Sequence, residues 1–372
     1  MTDQILAGAR VVTRSDVLEP GWVQIGGGRI AGVGAGAPPR DGTPIRDLGG
    51  GWLLPGFVDI HAHGGGGVSA IDSPADLAAT VAFHRLHGTT RTLISLVSSP
   101  MEQMARAAGW VADLMASEPG VAGAHLEGPF LSHLRCGAHD PDHLRAPATA
   151  ELRKLLEAGR GGIRMVTVAP ELPGGLDLVR ELVACDVIAA VGHTDGDYAT
   201  CRAAFEAGAR VLTHTFNGMR GLHHREPGPF LAACESPDVV LEVINDGIHL
   251  ADPIVRLIVR QAPDRVALIT DASAGAGMGD GRYARGARQV QVRAGRAELV
   301  GSGSLAGSTL TMAQAVRRAV REVGLPVTVA SAAASAVPAR LLGLDCGRIE
   351  AGRAAEFVVM TDDFEVSEVL AH

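Results

Sequence analysis

Residues 54–67 read "LPGFVDIHAHGGGG": an apolar run ends in two histidines one residue apart, and four glycines follow. The segment 57–63, "FVDIHAH", has the length and apolar texture of a buried strand. Side chains alternate across a strand, so His61 and His63 project from the same face. Two imidazoles placed in this way can share a metal ion if further donors converge on them. A surface pair beside a loop is the ordinary alternative, and the rest of the chain must decide between the two.

Seven more runs of strand length follow: "TTRTLIS" (89–95), "VAGAHLEG" (121–128), "IRMVTVAP" (163–170), "VIAAVGH" (187–193), "RVLTHTF" (210–216), "VVLEVIND" (239–246) and "RVALITDA" (265–272). Helix-like stretches separate them. "SPADLAATVAFHRLHG", for example, opens on a Ser cap and Pro and stops at Gly. Eight buried parallel strands alternating with helices over about 250 residues fit an α/β chain folded as a (β/α)8 TIM-like barrel. A doubly wound open sheet is the competing arrangement, but "HGGGG" lacks the G-x-G-x-x-G spacing that usually follows its first strand. Both ends of the chain are β-rich instead, in "ILAGARVVT", "GWVQIGGGRIAGVGAG" and "GRIEAGRAAEFVVMT". Neither end carries enough apolar residues to fold alone. We therefore expect a small β-sandwich domain made from residues 1–53 and 344–372, with the barrel spanning 54–343.

The 372 residues are 47% apolar, enough for one large core and a smaller unit. Net charge is −8 and no Lys/Arg run occurs, which argues against nucleic acid or an anionic membrane as partner. The start, "MTDQILAGARVV", has neither a basic segment nor an apolar segment of signal length. The five cysteines are scattered without a C-x-x-C, as in a reduced, cytoplasmic protein.

The reactive side chains gather at the C-terminal ends of the expected strands. His61 and His63 close the first, Glu127 the third, His193 the fifth, His214 the sixth and Asp271 the eighth. In a barrel these ends share one face, where active sites are built. Four imidazoles and two carboxylates there suit Zn²⁺ or a similar divalent cation. Taken singly, each is equally an ordinary polar residue at a strand end; six on one face are harder to dismiss.

With these segments in view, the chain resembles the N-acetylglucosamine-6-phosphate deacetylases of the amidohydrolase superfamily. The matching stretches are "LPGFVDIHAHGGGG", "HLEGPFLS", "GAHDP", "VGHTD", "THTFNGM", "HHREPG", "DGIHL", "LITDASAGAGMGDGRY" and "GSLAGSTLTM", in family order from 54 to 312. The resemblance implies that Glu127, His193 and His214 hold a principal divalent metal: Zn²⁺, or alternatively Fe²⁺, Mn²⁺ or Co²⁺. It further implies a second ion at His61 and His63, bridged by Glu127, so that each subunit holds one or two. Asp271 would be the general base and acid, and His249 would stabilise the oxyanion. Ala138, His139, Asn217 and Gly218 would contact the substrate, with Gly218 standing where the family usually has Ala. Leu305, Ala306 and Gly307 would line the acetyl pocket. Arg225, beside His223 and His224, would bind the phosphate of a phosphorylated amino sugar in the neighbouring subunit of a homodimer. The implied reaction is hydrolysis of the acetamide of N-acetyl-D-glucosamine 6-phosphate. The galactosamine epimer or another amidohydrolase substrate is the alternative, and a metal-free scaffold the least favoured.

Other residues carry no role at this stage. His125 shares the face of Glu127 and reads as a buried, satisfied ring. His84 and His87 read as helix-end residues, and His133, His143 and His372 as solvated. Cys136 lies in a loop expected to overhang the pocket.

Overall fold

All eight apolar runs form strands in the computed structural model, which describes residues 2–285 and 288–371. The barrel strands are Phe57–Ala62, Thr89–Val97, Val121–Glu127, Ile163–Val168, Ile188–Val191, Val211–Leu212, Val240–Ile244 and Val266–Ile269. Each pairs in parallel with its sequence neighbour. The ring closes where Ala62 bridges Ala272 and the Asp271 amide donates to the His61 carbonyl at 2.8 Å. Strands covered on both faces need no alternation of apolar and polar residues, which explains the near-continuous apolar runs.

Several strands stop short of the runs read from the sequence. The sixth covers only Val211–Leu212 because the backbone then bends: His214 has φ +29° and Phe216 φ +74°. His193 (φ +45°) and Asp271 (φ +45°) leave the fifth and eighth strands in the same left-handed region. Such angles are uncommon for residues with a Cβ and tend to collect at functional sites. Here they turn the side chains inward over the barrel mouth.

The helix Pro74–Leu86 starts where Ser73 caps the Asp76 amide and Pro takes the first turn, and it ends at His87. The chain ends pair into one seven-stranded sheet with its own apolar cluster, which includes Leu6, Val23, Ile25, Leu53 and Phe357. Its strand Trp52–Pro55 pairs with Phe357–Met360 and with Gln4–Val12, so this sheet extends two residues past 53 before the chain enters the barrel. A three-stranded antiparallel sheet, Gly281–Arg285, Arg288–Arg293 and Arg296–Leu299, is inserted after the eighth barrel strand. Its apolar face packs Val290, Val292, Ala297 and Leu299 with Ala138 and Ala306. Among the described residues no helix is long and apolar enough to cross a membrane, and His372 lies outside them.

Candidate metal centre and substrate cavity

His61, His63, Glu127, His193, His214 and Asp271 meet at the barrel mouth, all of them buried. Glu127 is the hub. Its Oε1 lies 3.1 Å from His193 Nε2 and 3.0 Å from His214 Nε2, and its Oε2 lies 3.1 Å from His63 Nε2. His61 Nε2 is 3.1 Å from His63 Nε2 and 3.5 Å from Glu127 Oε1. Asp271 Oδ1 approaches His63 and His61 at 3.3 and 3.7 Å.

The far side of each ring shows which nitrogen carries hydrogen. His63 Nδ1 faces the Ser95 carbonyl (3.0 Å), His193 Nδ1 the Arg135 carbonyl (2.7 Å) and His214 Nδ1 the Asn217 carbonyl (3.1 Å). A carbonyl can only accept, so each Nδ1 donates and each Nε2 is turned inward. His61 Nδ1 likewise donates to Glu242 Oε2 at 3.0 Å. Four Nε2 atoms therefore point at one another and at Glu127. Asp271 Oδ1 and Glu242 Oε1 are buried without a hydrogen bond. Imidazole nitrogens crowded together with unsatisfied carboxylate oxygens are costly unless a cation lies among them. Imidazole nitrogens plus a carboxylate make a borderline donor set suited to Zn²⁺ and its first-row neighbours. The residues present fit a divalent metal.

Electrostatics point the same way. Burial would push Glu127 upward, but His139 and His61 hold it well below the usual carboxylate range. Burial acts likewise on Asp271, and His61 and His63 hold it below that range. Burial would lower His61, yet Glu242, Glu127 and Asp271 together raise it well above an ordinary imidazole. Three buried carboxylates thus compete for positive charge at one spot.

The adjoining cavity, about 240 Å³, is lined by Glu127, His193, His214 and Asp271 and by Ala138, His139, Asn217, Gly218, His249, Leu305 and Gly307. Ala306 is fully buried behind that lining. His249 Nδ1 donates to Asp246 Oδ2 at 2.7 Å, and this carboxylate also accepts backbone bonds from Ile248 and His249. The His139 ring takes the Ser98 amide on Nδ1 (3.3 Å), which leaves hydrogen on the Nε2 that faces Glu127 Oε2 at 3.1 Å. Arg225 and His224 stand apart: both are exposed, 2.9 Å from each other, and neither lines this chain's cavity.

His125 is buried between Ser95 Oγ (2.9 Å) and Thr167 Oγ1 (2.8 Å), as a satisfied ring should be. His84 lies in the last turn of the helix Pro74–Leu86, as read from the sequence, and is buried there, with Nε2 2.9 Å from the Gly64 carbonyl. Two carboxylates went unread in the sequence, Glu242 and Asp59. Asp59 accepts from Thr270 Oγ1 at 2.6 Å and from the His61 amide at 3.1 Å, tying the first barrel strand to the eighth. Burial pushes its carboxyl up to about 6 against the pull of those bonds. The signal was available: an acid inside an apolar strand run is buried on a barrel interior and must have partners.

An eight-stranded barrel with a His/Glu/Asp cluster on its C-terminal face defines the class, and residues 52–371 match the model of the amidohydrolase family, to which this chain belongs. Within that family it is similar to N-acetylgalactosamine-6-phosphate deacetylase of Escherichia coli O157:H7, at 36% identity over 98% of this chain and 97% of the relative. It is also similar to N-acetylglucosamine-6-phosphate deacetylase of Vibrio furnissii, at 35% identity over 85% and 80%. The solved structure of a mutant of the Mycobacterium smegmatis N-acetyl-D-glucosamine-6-phosphate deacetylase, in complex with N-acetyl-D-glucosamine-6-phosphate, matches with TM-score 0.95 and 43% identity. That match covers 100% of this chain and 98% of the other.

Proposed function

We propose that this chain hydrolyses the acetamide of N-acetyl-D-glucosamine 6-phosphate, releasing acetate and D-glucosamine 6-phosphate. The observation that carries the reading is the convergence of Glu127, His193, His214, His61 and His63 on one point, with Asp271 beside it in a sugar-sized cavity. Glu127, His193 and His214 would hold a principal divalent cation and His61 and His63 a second. Zn²⁺ is the first choice, and such an ion supplies acidified water and a polarised carbonyl. Asp271 accepts the proton of the attacking water. As the C–N bond breaks, it returns that proton to the departing amine. His249, held by Asp246, lines the cavity where the oxyanion develops and in its doubly protonated form would donate to it from Nε2 while Nδ1 donates to Asp246. Asn217, Gly218, Ala138 and His139 orient the sugar, while Leu305 and Gly307, backed by Ala306, enclose the acetyl group. Arg225 and His224 serve the phosphate of the neighbouring site in a cytoplasmic homodimer, in keeping with their exposure here.

The galactosamine epimer is the second reading, favoured by the near full-length similarity to the Escherichia coli relative. Acetate release tests both. Wild type should act on an N-acetylhexosamine 6-phosphate far better than on the unphosphorylated sugar, and the better epimer names the substrate. Asp271→Asn should lose most turnover while keeping its metal. Near-normal turnover in that variant would remove Asp271 from the mechanism.

A further inference from the structure

Of the four imidazoles read as metal-holding at the barrel mouth, three are oriented by main-chain carbonyls, those of Ser95, Arg135 and Asn217. The fourth, His61, is oriented by a carboxylate. Glu242 comes from the middle of the seventh barrel strand and is wholly buried. Its Oε2 takes the His61 Nδ1 hydrogen at 3.0 Å and also the His214 backbone N–H at 3.1 Å. One oxygen atom thus touches both halves of the donor set: His61 on the first strand, and His214 just past the sixth. His214 adopts φ +29°, a conformation that residues with a Cβ hold only when the surroundings impose it. The bond to Glu242 restrains its backbone end, and the Asn217 carbonyl restrains its ring.

We propose that Glu242 is a positioning residue that joins the two metal positions, so that losing it empties the His61/His63 half and loosens the His214 half. The inference rests on reading His61, His63, Glu127, His193 and His214 as metal-holding. A purely architectural role explains it poorly, because an apolar residue would fill the strand interior at less desolvation cost than a carboxylate whose Oε1 has no hydrogen bond. A carboxylate behind a ligating imidazole fixes its tautomer and strengthens it as a donor, and loss of such a partner typically costs about 10- to 100-fold in metal affinity.

The test is metal content by elemental analysis, with calorimetric titration of Zn²⁺ into metal-depleted protein. Glu242→Leu should lose the equivalent held at His61 and His63 and bind the remaining one at least about tenfold more weakly. Leu241→Ala is the control: Leu241 is buried on the opposite face of the same strand, so it should lower the thermal midpoint and leave the titration unchanged. Wild-type binding by Glu242→Leu overturns the proposal, as does equal loss of metal in both variants. If Glu242→Leu does not fold, Glu242→Gln decides, because a neutral oxygen accepts more weakly than a carboxylate. Weaker binding at the His61/His63 position with an unchanged midpoint supports the role, and unchanged binding overturns it. A wild-type protein that takes up no Zn²⁺ would instead sink the reading of the whole site.

Discussion

His84 sits in the last turn of the helix Pro74–Leu86 and is buried, its Nε2 reaching the Gly64 carbonyl in the glycine run after His63. Burial lowers its pKa from 6.5 to about 4. The unfolded chain then binds a proton that the native state refuses, so stability is intact above about pH 6.5 and drains away as the pH falls toward 4. Thermal unfolding of wild type and His84→Gln at pH 7 and pH 4.5 should show the variant gaining roughly 2–3 kcal/mol on wild type at the lower pH. A difference that does not move with pH would mean that His84 is not buried in neutral form. The same scale shows what could be read in advance. The pair His61 and His63 announced itself because spacing alone puts two rare, metal-capable side chains on one face. Glu242 and Asp59 did not, since nothing local tells a buried acid in an apolar run which strand will come to face it.

Elements were legible where periodicity is strong. The barrel strands stand out because burial on both faces imposes continuous apolar runs, although their ends were misjudged wherever left-handed backbone at His193, His214 and Asp271 cut them short. The inserted sheet 281–299 was not foreseen, since its few apolar residues are diluted by arginine and glycine. That sheet matters to the site: Arg288, half-buried, sends Nη1 to the carbonyls of Ala138 (3.4 Å) and His139 (3.0 Å). It thereby fastens the loop that carries two cavity residues. Hydrogen bonds to a charged donor contribute up to about 3 kcal/mol, less where solvent screens them, so Arg288→Ala should lower kcat/KM roughly tenfold. Metal content should stay at the wild-type level. Unchanged kinetics would make the sheet a bystander.

At the scale of the whole molecule, charge sets the problem. A chain of net −8 must hold a substrate with a doubly ionised phosphate, yet Arg225 and His224 lie exposed outside the cavity of their own chain. If they serve the neighbouring subunit, Arg225→Ala should raise KM for the phosphorylated sugar by roughly ten- to hundredfold and barely affect the unphosphorylated one. Mixing Arg225→Ala with Asp271→Asn protomers should then restore one working site per heterodimer. No recovery in confirmed heterodimers would exclude the shared site. The central claim is that the donors around Glu127 hold a metal on which amide hydrolysis depends. Its most direct measurement is acetate release from N-acetyl-D-glucosamine 6-phosphate before metal removal, after removal verified by elemental analysis, and after Zn²⁺ is returned. The account predicts activity that disappears with the metal and comes back with it; full activity in verified metal-free protein would contradict it.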